Sequence, residues 1–450
     1  MSIEQLKEQL FTEGEKAGFT DLELYYEKKE SLTVGVYEGE VDAYDFSDVQ
    51  GAAVRGLYNG KTGYAFTEKF DEDSVSFLLK NASENAELNE NEPEQFFTEK
   101  STYEDIKFYT PDLETVKPEE MIQFLQEVEK KILSLDQRVT KVTSAQMRNQ
   151  KWENGLFHHK GLALREENNS LLFYVSILVQ ENGPLKSGTV FRITKDFKEL
   201  NADAIAKEVV EQGLSMLGEK NYPNKTYPVV LKNEAAASLL ATFTSSFSAQ
   251  AVQDSQSRLK GKLGEKIAAD HVTLIDNPFL PEGIRSATFD SEGVPTRKHN
   301  VVDGGKLQTY FHNLKTAKKD GVEPTGHAHR QSYQDSVGVS PSNFYIEPAN
   351  QTYEQLYEGI AEGIIITDLA GLHSGANPIS GDFSLAADGY YVKDGKIVGP
   401  TKQMTVAGNF FEVLQDIENI GEDLVFSPFS YNGYIGSPSL KIKGLAITID

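Results

Sequence analysis

The stretch from Leu22 to Glu68, LELYYEKKESLTVGVYEGEVDAYDFSDVQGAAVRGLYNGKTGYAFTE, decides the fold. Its segments LELYYEKK, SLTVGVYEG, VDAYDFS, QGAAVRGLYNG and KTGYAFTE alternate apolar and polar side chains with a period of two. Asn59-Gly60 is the dipeptide that closes a tight hairpin. The stretch therefore predicts a meander of antiparallel strands.

Working outward, Ser2 and Gln5 form a capping-box pattern, and Ile3, Leu6, Leu10 and Phe11 recur at helical spacing before Gly18. A helix precedes the meander. Beyond it, helices are expected from Asp71 to about Glu87 and from Pro118 to Leu135, where proline suits the first helical turn. Between them Asn89–Pro111 is acidic and aperiodic, a surface excursion. From Arg138 to Thr194 the pattern is of long strands, broken by turn chemistry at Glu153-Asn154-Gly155, Glu166–Asn169 and Glu181–Pro184. A helix from Asn201 to about Leu217 then runs into the linker-like Gly218–Lys225.

That linker places a boundary between an N-terminal α+β domain, residues 1–222, and a strand-rich C-terminal mixed α+β domain, residues 223–450. The second half opens with a strand, Tyr227–Leu231, and one long Ala/Ser/Leu-rich helix from about Asn233 to Val252. Strands are expected at His271–Ile275, His299–Val302, Leu307–Phe311, Ile364–Thr367 and Gly389–Val398, with Asp303-Gly304-Gly305 and Asp394-Gly395 as turns. The fold class is α+β throughout.

Composition excludes several functions. The 450 residues include no cysteine, so disulfides, thiol nucleophiles and Cys-type zinc sites are impossible. The net charge is −24, and residues 1–222 hold 25 basic against 42 acidic side chains, the remainder 19 against 26. Such a surface repels phosphate backbones, so no nucleic-acid partner is expected. The N-terminus has no basic start and no apolar core of a signal peptide, and the longest apolar run, Leu171–Val179, is too short to span a bilayer. A cytoplasmic location with no membrane partner is the expectation.

No catalytic constellation stands out from the residues themselves. His327 and His329, in GHAHR, would face one side of an extended segment and offer two zinc ligands, but no third His or Cys is near and Arg330 adds positive charge. A polar loop or interface pair is the plainer reading. His158-His159 would point to opposite faces of a strand. The loop HSGANPISGDFS, from His373, holds His, Ser and Asp within twelve residues but no G-x-S-x-G elbow. Its side chains His373, Ser374, Asn377 and Asp382 are candidates for receiving a substrate or partner chain, against the plainer reading of a self-bonded loop. KGKLGEK, Lys260–Lys266, lacks the Walker pattern and follows a helix, so its glycines are read as turns.

Three long segments nonetheless carry a resemblance: SQSRLKGKLGEKIAADHVTLIDNP (Ser255–Pro278), DSEGVPTRKHNVVDGGKLQTYFHNLKTAKKDG (Asp290–Gly321) and DLAGLHSGANPISGDFSLAADGYYVKDGKIVGPTKQMTVAGNFFEVLQDI (Asp368–Ile417), with a weaker echo at RGLYNGKTGYAFTE. Together they resemble the TldD/PmbA family, once called modulators of DNA gyrase and better described as two-subunit metallopeptidases. In the metal-bearing branch a His-Glu-x-x-x-His motif precedes the G-[KR]-[IL]-G-E segment, and a C-terminal cysteine completes the site. Counting back from Gly261, those motif positions fall near Leu240, Ala241 and Ser245, none a useful metal ligand. Residues i and i+5 also lie about 140° apart on a regular helix, so such a motif needs a distortion that this Ala/Ser run does not require.

The resemblance is thus to the metal-free PmbA/TldE type. It implies no catalytic residue and no cofactor in this chain, a zinc-type metal in a TldD-like partner subunit, and a shared chamber for unfolded or leader peptides. Two alternatives are a homodimer that binds peptides without cleaving them and an autonomous peptidase using His327 and His329 or the His373 loop.

Overall fold

Ser2 caps helix α1 (Ile3–Lys16) in a complete capping box with Gln5, and Leu6 and Leu10 press its apolar face onto the first strands. The computed structural model describes residues 1–97, 101–427 and 433–449. The meander consists of two very long strands and a short one, β1 (Phe19–Tyr37), β2 (Glu40–Tyr58) and β3 (Lys61–Thr67). Asn59 and Gly60 both take positive φ, 48° and 74°, in the two-residue turn that sets Tyr58 opposite Lys61.

Helices α2 (Ser74–Leu88) and α3 (Pro118–Leu135) follow, then β4 (Val139–His158), β5 (Ala163–Val179), β6 (Lys186–Thr194) and α4 (Ala202–Ser215). All six strands form one antiparallel sheet in the order β3-β2-β1-β4-β5-β6. Helices α1 and α2 cover its β1–β3 end, and α3 and α4 its β4–β6 end.

Two expected breaks do not exist. Glu153–Gly155 and Glu166–Asn169 sit inside unbroken strands, with Asn154 opposite both Glu27 and Glu166. Pairing on both sides of β4 overrides the turn propensity of these residues. The chain instead reverses after His158, where Gly161 takes φ +107°. Asn168 and Asn169 hold down the expected surface excursion. The Asn169 side chain accepts from the Thr110 N–H and donates to its carbonyl (2.9 and 2.8 Å), while the Lys195 ammonium donates to Asn168 Oδ1 and the Phe108 carbonyl. Phe108 is buried, so this end of the excursion is anchored, and residues 98–100 of it lie outside the described residues.

In the second half β7 (Lys225–Leu231) leads into α5 (Asn233–Phe243). The strands here are more numerous but shorter, two to twelve residues against seven to twenty in the first half. The main sheet runs 362–370, β7, 440–449, 404–409, 382–393, 396–400. Because 382–393 pairs with 404–409 and also with 362–370, this sheet closes on itself. Its core, with Phe243, Phe247, Phe311 and Phe344 almost fully excluded from solvent, lies between it and a second sheet built around 274–276 and 343–346.

The single helix expected over Asn233–Val252 is broken. It ends at Phe243, passes through a 3-10 turn at Thr244–Phe247 and resumes only over Ala249–Gln253. Tertiary contacts take over the backbone there: the Ala249 N–H bonds the Phe311 carbonyl, and the Phe311 N–H bonds that of Phe247, each at 2.9 Å. The strand expected over Leu307–Phe311 reduces to Lys306–Leu307 for the same reason. Among the described residues no helix is long and apolar enough to cross a membrane.

Candidate functional site

At the break after α5, Leu240 is buried in the core, Ala241 is half-buried and Ser245 is exposed. These positions face different environments, and together they offer one hydroxyl. With no cysteine in the chain, the donor set does not fit a divalent metal. The distortion that seemed unnecessary for an Ala/Ser run is nevertheless present, supplied by packing.

The glycine-bounded loop seats itself at this break. Ser246 Oγ donates to the Pro378 carbonyl (3.0 Å) and Arg258 Nη1 to that of Ser380 (3.0 Å). Asn377 Oδ1 accepts from the Ile379 and Ser380 N–H groups, and the Asp382 carboxylate accepts from Asn409 Nδ2 (2.8 Å), which with the Ser380 hydroxyl holds it below the usual carboxylate range. Ser374 Oγ reaches back to the Gly371 carbonyl (3.4 Å). Asn377 and Asp382 are thus brought together at the base of the loop, while His373 and Ser374 stand exposed on the short helix Leu372–Gly375. No hydrogen bond joins His373, Ser374 and Asp382 among the described residues.

The two histidines of GHAHR diverge. His327 Nε2–H donates to Asp276 Oδ2 (3.1 Å) and its Nδ1 accepts from Thr325 Oγ1 (2.7 Å), with Asp276 also held by Ser342. His329 Nε2 instead accepts from Arg285 Nη1 (3.1 Å); burial, then Arg285, pushes its pKa down to about 3. Arg330 turns to Glu23 Oε1 (3.0 Å). Each residue has its own partner, as the plainer reading of this segment expected.

His158 and His159 do not point apart as expected. β4 ends at His158, the alternation rule lapses, and the two rings lie 4.7 Å apart beside Asp21. The Lys160 N–H donates to His158 Nδ1 (3.2 Å), His159 Nδ1 lies against both the Leu22 N–H (3.1 Å) and its carbonyl (3.4 Å), and the Lys160 ammonium occupies Asp21.

A cleft of about 780 Å³ opens between the middle of β1, β4 and β5 and the segment from Ile284 to Ser342. Tyr25, Glu27, Trp152, Glu166, Arg285 and His329 line it. Glu166 receives the Thr288 N–H (2.8 Å) and hydroxyl (3.1 Å), yet burial dominates and raises its pKa to about 7. A carboxyl whose folded pKa exceeds its unfolded one stabilises the fold below the unfolded value and loses that contribution as pH rises toward 7. Thermal midpoints of Glu166→Gln, compared with the parent chain, should therefore rise relative to it between pH 4.5 and 7.

None of Glu166, Arg285 or the neighbouring ion pairs was singled out from sequence. Arg55, a charge at an inward strand position between Val54 and Gly56 in an otherwise apolar run, was the one readable signal.

Comparisons with known proteins agree with this architecture. Family models described as PmbA/TldA metallopeptidase domain 1, central domain and C-terminal domain match residues 22–86, 111–217 and 224–449. Metalloprotease PmbA of Escherichia coli O157:H7 is 25% identical over 94% of this chain and 92% of its own length. A metalloprotease TldD homolog of Buchnera aphidicola is 26% identical over 88% and 86%. A solved structure from Thermotoga maritima MSB8, of a protein described as a modulator of a DNA gyrase, superposes with a TM-score of 0.91 at 29% identity, covering 99% of this chain and all of that one. Identity to these two relatives differs by one point, so it does not separate the PmbA and TldD types.

Proposed function

Since the chain belongs to the PmbA/TldD metallopeptidase family, we propose that it is the metal-free, PmbA/TldE-type subunit of a cytoplasmic two-subunit peptidase. In this reading a TldD-like sister supplies the zinc-type metal, and this chain contributes walls and docking surfaces to a chamber that processes unfolded or leader peptides. The carrying observation is the donor set at Leu240, Ala241 and Ser245, which cannot hold a metal, in a chain without cysteine.

What this chain's residues contribute is positioning. β3 pairs with β2 only from Ala52 to Tyr58, so among the described residues β2 keeps an unpaired edge from Glu40 to Gly51, with Val41, Tyr44, Phe46 and Val49 exposed along it. An unpaired edge accepts an extended chain through main-chain hydrogen bonds, which tolerates many sequences. The acidic character of this half supports peptides over nucleic acid as its clients.

The test is reconstitution. The purified chain should contain no stoichiometric zinc at the α5 break and cleave no peptide; adding a family member that carries His-Glu-x-x-x-His should give a stable complex and restore cleavage. Peptide cleavage by this chain alone would overturn the reading.

A further inference from the structure

Among the described residues the inter-lobe cleft holds one solvent-shielded cation, Arg285, that makes no ion pair; Glu27, whose charge reaches it, is itself paired with Lys29. Of the cleft's cations shielded from full solvent, Lys151 pairs with Glu30 and Glu114, and Arg330 with Glu23. Arg285 pairs with no carboxylate among the described residues. Among the described residues its one hydrogen bond goes to the neutral imidazole of His329 at 3.1 Å. A guanidinium carries five N–H donors in a planar fork shaped to a carboxylate, and here four of them have no acceptor among the described residues. His329, which stays uncharged down to about pH 3, orients the fork without cancelling its charge. An unpaired cation held partly out of water is costly, and an anion entering the cleft would relieve that cost.

The surroundings narrow the ligand. The cleft volume, about 780 Å³, suits several residues of an extended chain more than a single small acid. Glu27, Glu30, Glu166 and Glu167 stand on the same walls and disfavour a ligand with many negative charges. We propose that the cleft binds the free C-terminal carboxylate of an extended peptide, with Arg285 as the carboxylate anchor and His329 as its positioning residue. That the bearer is a peptide rests on the function proposed above; the carboxylate site itself does not.

Trp152, the only tryptophan in the chain, lines the same cleft and reports binding directly. Fluorescence titrations of the full chain would use tetra-alanine as the free acid, the same peptide amidated at its C-terminus, and sodium acetate. Saturable binding of the free acid is expected, at least tenfold tighter than that of the amide or acetate. Arg285→Gln should abolish the preference for acid over amide, and His329→Phe should weaken it. Equal binding of acid and amide, acetate as tight as the peptide, or an unchanged preference in Arg285→Gln would each overturn the proposal. The acid, amide and acetate comparison is made on the unaltered protein, so it decides even if a variant fails to fold. No arm uses the partner subunit or cleavage, so this result and that of the reconstitution fail independently.

Discussion

Replacing Arg55 by methionine is expected to destabilise the protein by about 3–5 kcal/mol, the usual result of removing one member of a fully buried ionic cluster. Arg55 is 1% exposed. Its Nη2 donates to Glu23 (2.7 Å) and its Nη1 to Glu292 and Glu94 (3.1 Å each). Burial works against this charge, yet Glu23 and Glu292 hold its pKa well above the usual arginine value. Glu23 and Glu292 are themselves 1% and 3% exposed, so methionine would strand Glu292 out of reach of water without a cation and leave Glu23 with Arg330 alone. The cluster joins β1 and β2 to the segment carrying Glu292 and Arg330, so the loss falls on the contact between the two halves of the chain. Urea unfolding should show a lowered midpoint, and adding Glu292→Gln to Arg55→Met should recover part of it by removing one stranded charge. A midpoint within error of the parent's would show that the cluster contributes nothing net.

A second large effect is expected at Gly63. Its position in β3 brings the strand against α2 so closely that a Cβ there would lie 1.9 Å from the Ala82 carbonyl oxygen and 2.9 Å from Ala86 Cβ. The obstacle is helix backbone, which cannot turn aside as a side chain can. The helix is also pinned on both flanks: Asn85 and Asn89 donate to the Tyr64 and Thr62 carbonyls at 2.8 Å. Gly63→Val must therefore lift α2 off the sheet, uncovering Leu78, Leu79 and Ala82, at about 3 kcal/mol or more. Gly399→Ala makes the control, since its Cβ would meet nothing within 4 Å. Comparing the two thermal midpoints tests whether close approach, and not glycine content as such, sets the effect.

Particular residues show what the sequence could and could not reveal. The β1–β3 meander was readable because its period, its two-residue turn and its capped neighbour helix all agree, and each is local. Glu153–Gly155 misled because its turn chemistry is real but weaker than ladders on both sides of β4. The run after Asn233 misled in the opposite sense. It has no proline or glycine to announce a break, and the contacts that make one, to Phe311 and Pro378, come from more than 60 and 130 residues away. Counting the spacing back from Gly261 led to Leu240, Ala241 and Ser245, and it is the fold that shows these three in different environments, buried, half-buried and exposed. Arg285 was not legible in the sequence, because what distinguishes it is a missing carboxylate, and only the folded chain shows which partners a cation lacks.

The link from Glu23 to Arg330 spans 307 residues of chain. At translation rates of about 5–20 residues per second, Glu23 leaves the ribosome some 15–60 s before its second guanidinium partner exists. Glu292, which completes the shell of Arg55, also arrives late. The nascent first half can lay down its sheet but holds an unfinished electrostatic joint, so chains arrested between the two halves are the form most exposed to proteolysis and aggregation. Maturation of the N-terminal half is in this sense dictated by the far end of the message.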